Sequence, residues 1–357
     1  MKISGLILLM ISNAVWATNG LIPHGFGIKA KGMGGASIAY QEETHGASWN
    51  PAGLAFIGNR FDFEKPDRQV DNDFNQKEYF ILPELGLNVI LKHKMNLGLL
   101  VYGNAGMHSH QSETEIDLSQ LFFAPTLSKR FGKHAFGISL NMAYQRFLAK
   151  ENLTDSMSEQ GYDYSMGLGG SIGWQGQFAD EITLGAFYRS RTSMDKLKAY
   201  KGLLAENGEI DVPSAFGVGV AFHASSKTVV AFDVIRVKYS DVKAFSNPRS
   251  EGDNKLGMGF GWNNQTSYKV GLSYKYNDRL SLRTGLNYSK SPNSGSESFF
   301  NQLTPEKQVT LGGTWQFDKR SEMSVFYMPV FDNILGGYGG EQSMYHNSFG
   351  VSYGWHF

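Results

Sequence analysis

Cysteine is absent from all 357 residues, so neither disulfides nor thiolate metal sites are available. In an exported, oxidising compartment, stability then has to come from packing and backbone pairing. An excess of either charge is also missing: Lys plus Arg and Asp plus Glu both number 33. That balance removes the basic field a nucleic-acid partner demands. Beyond the first seventeen residues no apolar run reaches the length that a membrane-spanning helix needs. Catalytic signatures are lacking as well, with no Gly-x-Ser-x-Gly elbow and no phosphate-cradling Gly-Lys-Ser loop. His108 and His110 form the closest histidine pair, but no neighbouring motif supplies further ligands. Enzyme activity, a metal and a cofactor are therefore not expected.

What is abundant is glycine and aromatic side chains, with 42 Gly, 25 Phe and 17 Tyr. The mixture suits aromatic-rich strands around a crowded interior. The final segment places a large apolar residue at every second position, at Phe349, Val351, Tyr353, Trp355 and Phe357, between Gly, Ser and His. Period-two alternation sends side chains to opposite faces of a sheet, so one face meets hydrocarbon and the other something small or polar. A terminal aromatic on the oily face fits the closing strand of a bacterial outer-membrane barrel. The same pattern recurs at Phe136 to Tyr144, Phe216 to Phe222 and Tyr268 to Tyr276. Mean hydropathy of -0.30 does not oppose a membrane, because a barrel hides its hydrophobicity in alternate positions.

Residues 1–17 combine Lys2, an apolar run from Leu6 to Ile11 and Val15-Trp16-Ala17. These read as a secretory signal peptide cut after Ala17. Residues 18–58 are rich in Gly and Ala, poor in strand formers, and read as a compact irregular segment. Residues 59–357 divide into candidate strands by links that alternate between short and long. Short ones fall near His93, Gly132, Ala179, Ser225, Asn277 and Asp318. Long ones run over 70–77, 108–119, 150–161, 193–212, 240–266, 291–306 and 332–344. About fourteen strands follow, an even number with both wall ends on the short-turn, periplasmic side and the long connections outside the cell.

Alternation also orients particular side chains. On the seventh strand Ile182, Leu184, Ala186 and Tyr188 face out, which sends Arg189 and Arg191 inward; on the eleventh, Leu280 and Leu282 send Arg283 inward. An inward Arg can hold a carboxylate through two parallel hydrogen bonds, or form a structural ion pair with the lumen's other contents. Gly103, Asn104 and Gly106 interrupt the third strand, and glycine within a strand marks a bulge or bend where the wall can open. The glycines Gly34 and Gly35 allow tight turns, and Pro51 restricts Asn50 before it. Asn50 either begins an ordinary Asx turn or ties its segment to the barrel interior. Phe260 and Trp262 in the fifth long connection either form a landing groove for an oily ligand or pack over the mouth.

Two stretches, Gly32-Met-Gly-Gly-Ala-Ser-Ile-Ala39 and Ala47-Ser-Trp-Asn50-Pro51-Ala52-Gly53-Leu54, resemble the plug signature of the outer-membrane long-chain fatty acid and aromatic hydrocarbon transporter family. Tyr188-Arg189-Ser190-Arg191 and Tyr268 through Tyr288, followed by Ser291-Pro292, agree with it. The resemblance implies an all-β, antiparallel transmembrane barrel of fourteen strands whose lumen is closed by an N-terminal hatch. It implies passive uptake of fatty acid, hydrocarbon or detergent-like lipid, captured at outer loops, gated by Gly34, Gly35, Asn50 and Pro51, and released sideways at the third strand. Arg189, Arg191, Arg283, Phe260 and Trp262 become the expected ligand contacts. Expected partners are outer-membrane lipid, lipopolysaccharide and, through Phe357, the barrel-assembly machinery, with the protein acting as a monomer. A general diffusion porin, a lipid-acting outer-membrane enzyme and a structural or adhesive barrel are the alternatives.

Overall fold

The computed structural model describes residues 18–70, 84–111, 114–150, 161–201, 203–248, 257, 259–292, 306–329, 335–337, 340–342 and 347–357. The expected leader at 1–17 and much of the first, third, fifth, sixth and seventh long connections lie outside these residues, as do Leu256 and Met258. So do the side chains of His108 and His110.

Fourteen antiparallel strands form the wall: β1 (Arg60–Val70), β2 (Glu84–Ile90), β3 (Met95–Gln111), β4 (Thr114–Phe131), β5 (His134–Lys150), β6 (Asp163–Gln177), β7 (Ile182–Arg189), β8 (Ala215–Ser225), β9 (Thr228–Val237), β10 (Gln265–Lys275), β11 (Leu280–Ser289), β12 (Lys307–Gln316), β13 (Ser321–Met328) and β14 (Asn347–His356). Each pairs with its sequence neighbours, and β14 pairs back onto β1, Tyr353 opposite Phe63 and Trp355 opposite Phe61. Closure leaves no edge strand, which is what a sheet in lipid requires, since hydrocarbon offers no partner to a free N–H or C=O.

The outward face follows the alternation. Phe136, Ile138, Leu140 and Met142 on β5 are 54, 57, 46 and 44% exposed, while Gly137, Ser139 and Asn141 between them are buried. A soluble surface does not carry so continuous an apolar band. Strands β3 to β6 run to 17, 18, 17 and 15 residues, well beyond the ~9–11 a tilted strand needs to cross a bilayer. They project past the membrane on the long-connection side. Here the structure corrects the expected long connection at 108–119: strand pairing continues to Gln111 opposite Thr114, leaving 112–113 as the whole link. The polar composition of the stretch fits strand outside lipid as well as loop, so periodicity did not separate the two.

Residues 20–56 lie inside the ring and are almost wholly buried. A two-residue ladder (Thr18–Asn19 with Ile22–Pro23), a short helix α1 (Ile28–Gly32) and two 3-10 turns (Thr44–Ser48 and Pro51–Phe56) are its only regular pieces. Inward-facing wall glycines make the space. A Cβ on Gly86, Gly98, Gly137, Gly173, Gly185, Gly219, Gly271, Gly285 or Gly312 would come within 3.0 Å of Thr44, Leu54, Pro51, Asn50, Ile38, Ile38, Met33, Gly34 or Gly32 respectively. These contacts touch nine strands around the ring, so the segment is held on most sides.

Candidate functional site

Four polar anchors fix the N-terminal segment to the inner wall. Asp233 on β9 accepts the backbone N–H groups of Ser37 and Ile38 at 2.7 and 2.9 Å. Lys269 on β10 donates to the His24 carbonyl at 2.6 Å. Lys29 of α1 pairs with Glu322 on β13, which also receives Arg60 from β1 at 2.8 Å. Glu42 takes a two-pronged hydrogen bond from Arg283 on β11, with Nε and Nη2 each at 2.8 Å. Burial alone raises the Glu42 carboxyl, but the Arg283 charge and its hydrogen bonds outweigh that and hold it below the ordinary carboxylate value. None of Asp233, Glu322 or Glu42 was singled out from sequence. The available signal was a charged residue at an inward position, Asp233 between Phe232 and Val234, Glu322 beside Met323.

Asn50 serves both roles foreseen for it. Its Oδ1 accepts Ala52 N–H at 3.2 Å, starting the 3-10 turn at Pro51, while Nδ2 donates to the carbonyls of Ile38 at 2.7 Å and of Trp174 on β6 at 2.9 Å. Gly34 and Gly35 are left-handed, at φ +65° and +83°, and a Cβ would meet the Leu286 carbonyl at 2.7 Å and the His24 carbonyl at 1.8 Å. No side chain fits at either position.

Five aromatic rings form a nest beside this segment that the sequence pattern does not reveal. Trp49 packs on Phe26 and Phe187, Phe26 on Tyr102, and Tyr102 on Phe122, with ring centroids 5.0 to 5.5 Å apart. Arg189 enters it from β7, fully buried, with its guanidinium carbon 4.9 Å over the Trp49 ring. Nη1 donates to Asn104 Oδ1 at 2.8 Å, while Nε and Nη2 have no hydrogen-bond partner among the described residues. No carboxylate is among its partners there. The cation–π contact returns only ~0.5–2 kcal/mol against the several that burying an ion costs.

Asn104 owes its position to a bulge. Gly103 pairs with Leu121 and Ala105 with Gln120, so Asn104 is the extra residue of β3 and its side chain turns inward to Gln120 and Arg189. Gly106 continues the ladder opposite Ser119. The β2-side neighbours of Gly103 and Gly106 fall outside the described residues, so the wall here is defined on its β4 side.

Two expectations need correction. Arg191 does not point into the lumen: the backbone leaves the strand after Arg189, and the Arg191 side chain sits half-exposed among Asp211, Glu209 and Glu206. Alternation ceases to orient a side chain once the strand ends. Phe260 and Trp262 are buried, packed with Tyr239 and Phe245 at centroid distances of 5.1 to 5.7 Å, so they offer no open landing surface. Tyr239 also accepts the Leu21 N–H at 3.0 Å, joining this cluster to the N-terminal segment. Arg283 does face inward, and the segment's own Glu42 occupies it.

A family model described as outer membrane protein transport protein (OMPP1/FadL/TodX) matches residues 123–333. Among solved structures, the chain resembles the Pseudomonas putida toluene transporter TodX at 19% identity and TM-score 0.71, covering 95% of this chain and all of that one. It resembles the Ralstonia pickettii toluene transporter TbuX at 15% identity and TM-score 0.71, over 94% of this chain and 99% of that one. A Pseudomonas aeruginosa FadL homologue aligns at 14% identity and TM-score 0.70, over 95% and 100%. At these identities the likeness is one of fold. No curated protein matches the chain in sequence.

Proposed function

The chain belongs to the outer membrane protein transport family (OMPP1/FadL/TodX), and from that premise we propose that it takes up long-chain fatty acids through a hatch-gated lumen with lateral release at β3. The observation that carries the choice of cargo is Arg189, a buried guanidinium with two unused donors inside an aromatic nest. An amphipathic acid satisfies both halves: its carboxylate takes Nε and Nη2, its chain lies against Phe26, Trp49, Tyr102 and Phe187. A neutral hydrocarbon satisfies only the second half.

The same contact supplies a route outward. A carboxylate on Nε and Nη2 draws on the same cation that holds Asn104 through Nη1, and Asn104 is the bulged residue of β3. Loading then weakens that contact and loosens the bulge, and the greasy chain leaves through the wall into the outer-membrane lipid. Residues 18–58 act as the hatch, with Gly34, Gly35, Asn50 and Pro51 setting its shape. Against a general diffusion porin stands the filling of the lumen by this segment, which touches nine strands.

Aromatic hydrocarbon is the second reading, favoured by the nest itself and by the naming of TodX and TbuX as toluene transporters. Arg189→Gln separates the two. Hydrogen bonds to a charged group contribute ~1.5–3 kcal/mol, so binding of a fluorescent long-chain fatty acid to the purified variant should weaken about 10- to 100-fold, with toluene binding unchanged. Equal fatty-acid affinity in both proteins would rule out the anchor.

A further inference from the structure

Glu64 on β1 and Glu84 on β2 stand directly opposite each other across the two strands, and both are buried facing the lumen. Like charges so placed repel. His45, from the Thr44–Ser48 turn and fully buried, closes over them with Nδ1 3.0 Å from Glu64 Oε1. That approach lacks hydrogen-bond geometry: neither ring nitrogen has a hydrogen-bond partner among the described residues, and Oε2 of each carboxylate has none either. Ile28 N–H donates to Glu64 Oε1 at 3.1 Å, Lys31 Nζ stands 3.6 Å from Glu84 Oε1 with its charge also acting on Glu64, and the two carboxyls touch each other. With Glu43, Asp62 and Glu322 nearby, five carboxyl groups share three cations, Lys29, Lys31 and Arg60.

One ligand atom from each of His45, Glu64 and Glu84 lies within 4.8 Å of the other two. Donors bound at ~2.0–2.2 Å in a tetrahedral site stand about 3.3–3.6 Å apart, so a side-chain movement of about an ångström closes the set. An imidazole with two carboxylates is a donor set for zinc and its first-row neighbours rather than for calcium or magnesium. We propose that His45, Glu64 and Glu84 form a site for one Zn²⁺ ion that clips the N-terminal segment to β1 and β2. The ion relieves the opposed carboxylates and uses the His45 nitrogens, which have no hydrogen-bond partner among the described residues. The clip crosses from segment to wall, so chelation loosens the segment on the β1–β2 side alone. This inference does not depend on which cargo is carried.

The test uses the full mature barrel, without a histidine tag, extracted into detergent, stripped with a chelator and dialysed against Zn²⁺. Elemental mass spectrometry should find about one zinc per chain, with an anomalous diffraction peak among the three side chains. His45→Gln and Glu84→Gln should each lower retained zinc at least about tenfold, while heat-modifiable gel migration shows that the barrel still closes. His45→Gln keeps both wall carboxylates, so it reports even if Glu84→Gln fails to assemble. Wild-type barrel holding no zinc above an unrelated barrel treated alike, or variants that retain as much, would overturn the site and leave a proton shared between Glu64 and Glu84 in its place.

Discussion

Arg283 and Arg189 are both buried lumen guanidiniums, and they differ in what faces them. Arg283 has the Glu42 carboxylate and the Thr314 hydroxyl; Arg189 has one amide oxygen, an indole and the Tyr102 hydroxyl, and no carboxylate among the described residues. Removing the partner of a buried ion pair typically costs ~3–5 kcal/mol, because the remaining charge stays desolvated. Glu42→Gln should therefore lower the temperature at which the folded barrel loses its compact gel mobility. Its pH dependence has a definite sign. The folded Glu42 carboxyl lies below its unfolded value of about 4.3, so the pair's contribution is fully present above that value and disappears as pH falls through the lower folded one. Between pH 7 and 5 the wild type should keep its margin over Glu42→Gln; below about pH 4 the margin should shrink. A margin constant down to pH 3 would show that the pair does not hold the segment.

At the scale of single elements, the exit proposed at β3 rests on one inserted residue, Asn104. Deleting Asn104 restores an uninterrupted ladder with β4 and removes the acceptor from Arg189. Assembly should persist while uptake of long-chain fatty acid falls at least about tenfold, the order expected for losing one charge-assisted contact; unchanged uptake would place the exit elsewhere. The strands themselves were legible from sequence because each alternation, such as Phe136 to Tyr144, is imposed by lipid on one side. The Gly103-Asn104-Ala105-Gly106 interruption was legible for the same reason, as a break in an otherwise regular period. Arg191 was not, since it lies two residues beyond the last β7 position. The Trp49 nest and the His45–Glu64–Glu84 cluster were not legible either, because each joins residues far apart in the chain that only closure brings together. Gly173 shows how tightly segment and wall are matched. A Cβ there would meet Asn50 Oδ1 at 2.0 Å and Pro51 at 2.8 Å, so Gly173→Val should displace the segment and raise ion conductance in planar bilayers over the wild type.

For the molecule as a whole, a closed wall with an apolar exterior and a filled interior defines both location and work. Outer-membrane placement follows from the family and the barrel. Residues 20–56 occupy the lumen, and Arg189, a buried cation with two donors lacking hydrogen-bond partners among the described residues, sits beside the aromatic rings of Phe26, Trp49 and Tyr102. The most direct measurement is uptake of radiolabelled oleate and toluene by cells whose own transporters are deleted, complemented with wild type or with Arg189→Gln. Wild type should restore entry of oleate, and Arg189→Gln should lose it while passing toluene as before. Oleate entry that is absent with wild type, or equal with the variant, would contradict the account.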